Sequence, residues 1–235
     1  VKVDVVIPVY NEECKLERCI HALRQHLLQH PRYDWRIVIA DNASVDRTWT
    51  IAQGLSSRFP EVAALHLDQK GRGLALRAAW TASTAEIVSY MDVDLSTHLA
   101  AFVPMIDSLA KGRCDVAVGS RLSRGSQVER CLKREVVSRG YNLLVAAFFP
   151  GKQFTDAQIG FKALTLAAAR EVLPLVQNNY WFFDTELLVQ AQRRGYRIGN
   201  IPVRWTEDRD SRVKVGPAAM ENIKGLVRLR FQKAA

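Results

Sequence analysis

Two carboxylates, Asp92 and Asp94, close the apolar run in SYMDVDLST (residues 89–97), with Ser96 and Thr97 directly behind them. If a strand persists through them, acids at i and i+2 share one face, where they repel unless a cation lies near. A divalent ion held by one or two carboxylates plus substrate phosphates is the usual magnesium arrangement. An isolated D-x-D can equally be a loop of solvated acids, so its meaning depends on what converges beside it. Polar groups close four other apolar runs: Tyr10, Asn11 and Glu12; Asp41, Asn42 and Ser44; Gln69 and Lys70; Ser120 and Arg121. Any one set can simply cap the next helix. Five sets gathered at one place suit a nucleotide.

The elements that must gather them alternate along the chain. Apolar runs at 3–9, 35–41, 62–67, 86–92 and 115–120 read as strands, and helical spacing follows near 12–29, 46–58, 73–83 and 99–110. Continuous apolar strands alternating with helices predict an α/β fold, a mostly parallel, Rossmann-like sheet covered by helices on both faces. Ligands of such sheets bind beyond the carboxyl ends of the strands. The second half is less regular. Residues 130–150 mix Arg130, Lys133, Arg134 and Arg139 with Leu143, Leu144, Phe148 and Phe149, the pattern of one or two amphipathic helices. A helix over 183–195, a strand over 196–205, a polar loop and a basic C-terminal helix complete the chain.

Other signals narrow the chemistry. No Walker loop is present and no G-x-G-x-x-G follows the first strand, which counts against P-loop and dinucleotide-binding readings. Gly71 and Gly73 in DQKGRGLAL let backbone approach a ligand and open the next helix. His26 and His30 stand at helical i, i+4 spacing and could ligate a metal, but no third ligand is near, so a solvated helix face is expected. The four cysteines form no C-x-x-C pair, so neither a disulfide framework nor a zinc site is indicated, and a reducing compartment fits. Lys and Arg outnumber Asp and Glu by 33 to 24, a formal charge of +9, which favours an anionic partner. The basic residues are scattered and lack an aromatic stacking motif, so no nucleic-acid partner is expected.

VVIPVYNEE, IADNASVDRT, DVDLST, VGSR, DAQIGFKALT and WFFDTELL resemble, in order and spacing, the family 2 glycosyltransferases of GT-A fold. Within them the chain is most similar to the polyprenyl-phosphate sugar synthases. DAQIGFK (156–162), FDTELL (183–188) and WTEDRDSRV (205–213) resemble the dolichyl-phosphate β-glucosyltransferase branch. The mannose synthases usually carry Gln where this chain has Ser96 and Arg near Thr206, which departs from a GDP-mannose pattern.

The resemblance implies an inverting, metal-dependent hexosyltransferase moving glucose from UDP-glucose to the phosphate of a polyprenyl phosphate. The alternative is a family 2 enzyme with GDP-mannose or a UDP-N-acetylhexosamine as donor, or with a glycan or soluble acceptor. It further implies a single catalytic domain over 1–235, with a nucleotide-sugar half at 1–121 and an acceptor half at 122–235. Pro8, Tyr10, Glu12, Asp41 and Ser44 would hold base and ribose, with Lys70, Asp92, Val93, Ser211 and Arg212 completing the donor site. Mg2+ or Mn2+ would sit on Asp94 and Asp92 with Ser96 close by. Arg121 and Arg139 would receive the acceptor phosphate, and Asp92, Asp94 and Arg121 would carry the catalysis.

Such an acceptor keeps its tail in lipid. An apolar face with basic edges at 130–150 would then lie in the membrane interface, at the cytoplasmic face. Core packing is the competing explanation for Leu143 and Leu144. YNLLVAAFF (141–149) is about half the length of a bilayer span. Because the chain begins at Val1 inside a strand, it is expected to be an excised domain, with a membrane region possible after Ala235.

Overall fold

The structure, a computed structural model, describes residues 1–208 and 215–232. In chain order the elements are β1 (Lys2–Val9), α1 (Leu16–Leu28), β2 (Asp34–Asn42), α2 (Thr48–Arg58), β3 (Val62–Leu67), α3 (Arg72–Thr81), β4 (Ile87–Met91), α4 (Phe102–Ala110) and β5 (Val116–Ser120). There follow β6 (Gln127–Glu129), α5 (Leu132–Phe148), β7 (Phe161–Thr165), α6 (Leu166–Val172), α7 (Phe183–Arg193), β8 (Ile198–Pro202), β9 (Arg204–Thr206) and α8 (Val215–Phe231).

Seven strands form one sheet in the order β3-β2-β1-β4-β7-β5-β8. β1, β4 and β5 are almost wholly apolar and buried, as both-face coverage requires. The chain winds outward from β1 through β2 to β3, then returns to place β4 on the other side of β1. That reversal opens a crevice beyond the carboxyl ends of β1 and β4, the place where open α/β sheets bind ligands. Asp92 follows β4 immediately, and Tyr10 follows β1.

The sheet departs from the sequence expectation at β7, which runs antiparallel between β4 and β5. FKALT carries Lys162 in its middle, and a lysine there breaks the apolar run that marks a buried strand. The residue is nevertheless fully buried. The strand expected over 196–205 is two: β8 joins the main sheet, and β9 pairs with β6 in a separate parallel ribbon. β7 and β8 belong to the second half of the chain, so both halves share one sheet and one core.

The expected helix at 12–29 starts only at Leu16. Asn11 has a left-handed backbone (φ 55°), a conformation Asn tolerates, and the Glu12 carbonyl accepts from the amides of Lys15 and Leu16, both at 3.0 Å. Residues 10–12 therefore form a loop over the crevice, and a single hydrogen-bonded turn over 12–16 leads from it into α1. The 130–150 region is one helix, α5, which packs against α8. Leu144 lies partly buried against the core, whereas Leu143 is 73% exposed.

Candidate active site

The first two strand-end loops are laced together. The Asn11 amide donates to Ser44 Oγ (2.9 Å), the Val45 amide to Asn11 Oδ1 (2.9 Å) and the Glu12 amide to Thr48 Oγ1 (2.7 Å). Pro8, half-buried, is the penultimate residue of β1, just before this loop. Lys70 Nζ stands 3.7 Å from the centre of the Tyr10 ring, so the third loop closes on the first. Asp41 lies at the bottom with no exposed surface. Its Oδ2 is 2.7 Å from His66 Nδ1, and because a carboxylate only accepts, the imidazole donates there. Its Oδ1 is buried without a partner among the described residues. Trp49 packs on the far side of His66, ring centres 5.0 Å apart, and fixes the imidazole.

Gly71 and Gly73 do a different job from the one their spacing implied. A Cβ on Gly73 would overlap the Phe183 ring, and one on Gly71 would come within 2.9 Å of the Asn179 carbonyl. These glycines make room for α7 and the loop before it rather than for a ligand. The Asn179 carbonyl accepts from the Gly73 amide (2.9 Å) and the Asn42 side chain from the Gly71 amide (2.6 Å), binding the third loop to its surroundings.

The acidic pair is not on a strand face. β4 stops at Met91, the Leu95 amide returns to the Asp92 carbonyl (3.2 Å), and Leu95 itself has φ 52°. Asp92 and Asp94 thus occupy a tight turn, with Val93 buried between them. β9 pins this turn from behind: the Thr206 amide donates to the Ser96 carbonyl and the His98 amide to the Arg204 carbonyl, both at 2.9 Å. Ser96 contributes its amide to Asp94 Oδ1 (2.9 Å). Asp94 is exposed, whereas Asp92 stands over Gly160, where any Cβ would overlap its carboxylate. Burial raises the Asp92 carboxyl above the ordinary carboxylate range, against the pull of Arg72, and Asp94 adds to the rise.

Arg72 anchors Asp92 from the start of α3. Its Nη2 lies 2.7 Å from Asp92 Oδ1 and its Nη1 2.8 Å from Asp184 Oδ2. Burial opposes the charge of Arg72, but Asp92 and Asp184 outweigh it and hold the guanidinium above its ordinary pKa. Asp184 Oδ1 in turn meets Lys162 Nζ (2.8 Å) and the Tyr90 hydroxyl. Burial lowers Lys162, with Asp184 opposing. The floor of the crevice is therefore a buried charge network of Arg72, Asp184, Lys162 and Tyr90 that ends on Asp92. Sequence reasoning assigned none of these four a role. Asp184 and Lys162 sat inside motifs, and Arg72 stood between the two glycines that drew attention.

Arg121 follows β5 and is bound in a fork by Asp156, Nε to Oδ2 at 2.7 Å and Nη2 to Oδ1 at 2.9 Å. Asp156 is wholly buried, and although burial raises its carboxyl, Arg121 outweighs that and keeps it below the ordinary range. Asp92 also acts electrostatically on Arg121, which joins the acidic turn to the second half. Arg121 and Arg139 line one cavity of about 290 Å3 with Arg130, Glu135 and Leu132. Lys15 pairs with Asp208, and Glu12 and Asp94 add to that field, so the chain just before Ser211 reaches the site. Ser211, Arg212 and Lys233 lie outside the described residues.

Among the described residues no three His, Cys, Asp or Glu side chains form a ready-made metal cage. Two adjacent carboxylates, one exposed and one half-open at the crevice, nevertheless fit a hard cation that takes its remaining oxygens from a diphosphate and water. The exposed apolar side chains are concentrated elsewhere. Leu132, Val136 and Leu143 mark one face of α5, with Val137 exposed to the side of it; Met220, Ile223, Val227 and Phe231 mark one face of α8; Tyr180 and Trp181 precede α7. No helix among the described residues is long and apolar enough to cross a membrane.

A helix-covered sheet with an acidic turn at its switch point is the GT-A arrangement of glycosyltransferases. The chain belongs to glycosyl transferase family 2, whose family model matches residues 4–172. Glycosyltransferase AglD of Haloferax volcanii is 34% identical over 91% of this chain and 34% of its own length. A dolichyl-phosphate beta-glucosyltransferase of Homo sapiens is 29% identical over 90% of this chain and 69% of its own. The chain thus spans only about a third of the Haloferax relative. In fold it matches glucosyl-3-phosphoglycerate synthase from Mycobacterium tuberculosis, a structure in complex with Mn2+, UDP-glucose and phosphoglyceric acid, with a TM-score of 0.76 and 18% identity over 100% of this chain and 81% of that one.

Proposed function

We propose that this chain is the catalytic domain of an inverting glycosyltransferase that moves glucose from UDP-glucose to the phosphate of a polyprenyl phosphate at the cytoplasmic face of a membrane. The relatives named dolichyl-phosphate beta-glucosyltransferase support the acceptor and the sugar. One observation carries the reading: the arginine-lined cavity shares α5 with the exposed apolar face, and Leu132, which lines that cavity, is 83% exposed. An acceptor that is anionic at one end and apolar along its length matches both.

In this reading the first three strand-end loops hold the nucleotide. Tyr10, Glu12, Ser44 and Lys70 surround it, and Asp41, oriented by His66, accepts a ring N–H of the base with its free Oδ1. Asp92, steadied by Arg72, and Asp94 would hold Mg2+ or Mn2+, which when bound acts as a Lewis acid on the diphosphate. The resemblance adds Val93, Ser96, Ser211 and Arg212 to this end of the site. An acceptor phosphate oxygen attacks the anomeric carbon from the face opposite the diphosphate. The new carbon–oxygen bond forms as the bond to the leaving diphosphate breaks, so the configuration inverts. The nucleophile is already an anion and needs no strong base, only cations to orient it. Residues 1–121 thereby serve mainly the donor and 122–235 mainly the acceptor across one shared sheet, with Arg121 reaching to the acceptor and Ser211 and Arg212 to the donor.

The direct test supplies labelled UDP-glucose, Mn2+ or Mg2+ and a polyprenyl phosphate. Label should pass into an organic-soluble glucosyl phosphodiester. Label that moves only to a soluble acceptor, or only from another nucleotide sugar, overturns the corresponding half of the assignment.

Membrane attachment is tested separately. Lys224 and Arg230 are exposed beside the apolar face of α8, and each basic residue near an anionic surface contributes about 1 kcal/mol. The protein should float with phosphatidylserine liposomes and largely detach at high salt. Substituting Leu143→Asp with Phe231→Asp should abolish flotation while leaving transfer to a short, water-soluble prenyl phosphate intact. Unchanged flotation of the double variant removes α5 and α8 as the contact surface.

A further inference from the structure

The acceptor-side cavity already contains an anion of the protein's own. Glu135, one turn into α5, places Oε2 on Arg130 Nε and Oε1 on Arg139 Nε, so a single carboxylate bridges two guanidinium groups. Arg121 stands in the same cavity wall, and the charge of Glu135 acts on it as well. Arg130 is the least accessible of the three, its side chain keeping 3% of its surface, and its Nη2 is buried with no hydrogen-bond partner among the described residues. A buried guanidinium N–H without an acceptor is uncommon. It marks a place that is one oxygen short.

We propose that Glu135 is a resident competitor for the acceptor phosphate, occupying the Arg130–Arg139 position until a phosphate monoester displaces it. This rests on the reading of the cavity as the acceptor site. A carboxylate has two oxygens, and both are used on Nε atoms. A phosphate monoester has three terminal oxygens, so it can replace both contacts and also satisfy Arg130 Nη2. Its charge is roughly −1.5 to −2, against −1 for the carboxylate, and guanidinium groups bind phosphate in the same forked geometry. Glu135 has somewhere to go, since it keeps a quarter of its surface at the cavity mouth and Arg139 is itself largely exposed. A neutral or weakly anionic ligand gains no such advantage and leaves Glu135 in place. The pair thereby discriminates phosphate from carboxylate at the mouth of the site.

Calorimetry with geranyl phosphate, a water-soluble phosphate monoester with a short prenyl tail, tests this on the intact protein. Glu135→Gln keeps the shape and removes the charge, and should bind the probe at least five-fold more tightly than the native protein. Glu135→Ala should shift affinity in the same direction, and UDP-glucose affinity should be unchanged in both. Arg130→Lys, which keeps the charge but has no planar fork to place a second donor nitrogen where Nη2 lies, should lose at least ten-fold. If Glu135 merely orders the arginines, both Glu135 variants bind the probe equally or more weakly, and the proposal is overturned while the acceptor assignment stands. If the native protein and both variants bind UDP-glucose but none binds geranyl phosphate, the acceptor reading falls and this proposal with it. Unfolding midpoints of the variants separate lost binding from lost fold.

Discussion

Asp94→Asn is expected to leave the fold intact and to slow sugar transfer by roughly 10²–10³, the usual cost of removing one group that stabilises developing charge. The residue is exposed in the turn after β4 and takes no part in the core, so its replacement should change stability by no more than about 0.5 kcal/mol. Its visible hydrogen bond, from the Ser96 amide to Oδ1, is one an asparagine can keep. What the variant loses is formal charge beside Asp92, and with it the affinity of the turn for a divalent cation. Excess EDTA should reduce the native protein to a similar rate and have little further effect on the variant. A variant with full activity and an unchanged unfolding midpoint, or native transfer that persists in EDTA, would remove the metal from the mechanism.

The position of that turn is legible in the amino-acid sequence, but its form is not. β1, β2, β4 and β5 announce themselves because strands buried on both faces are apolar at most positions, and the polar residues that end them stand out. β7 hides because Lys162 interrupts its pattern. That lysine is tolerated because Asp184, 22 residues later, and the Tyr90 hydroxyl meet it across the fold, beside the nearby Ile159 carbonyl. Local spacing cannot reveal a partner brought in by topology. The same limit applies to Arg121, whose type and place after a strand are plain in the sequence while its forked bond to Asp156, 35 residues on, is not. It makes Arg121→Ala an unsuitable probe of acceptor binding, because that change also strands a fully buried carboxylate. Gly73 shows the converse. A glycine before a helix can serve a ligand or a neighbouring ring, and only the Phe183 ring beneath it decides between them.

The second large effect should come from Asp184→Asn, which is expected to destabilise the protein by ~3–5 kcal/mol, the range for removing one partner from a buried ion pair. Asp184 is buried and is shared by Arg72, Lys162 and Tyr90. An asparagine matches its shape but not its charge. Arg72 keeps Asp92, so the uncompensated cation is Lys162, which burial already holds below its ordinary pKa and which loses the opposing pull of Asp184. The sign of the pH dependence follows. A lysine whose folded pKa is depressed binds fewer protons folded than unfolded, so stability rises with pH between the depressed value and the unfolded one. The deficit of the variant should therefore be largest at neutral pH and shrink toward pH 10. Combining it with Lys162→Met removes the stranded charge and should recover most of the loss, because replacing both members of a buried pair by uncharged groups is often close to neutral. Urea unfolding of the native protein and these variants at neutral and alkaline pH measures all three effects. A loss below about 1 kcal/mol, or a deficit that grows as pH rises, would show that Lys162 does not depend on Asp184 for its place in the core.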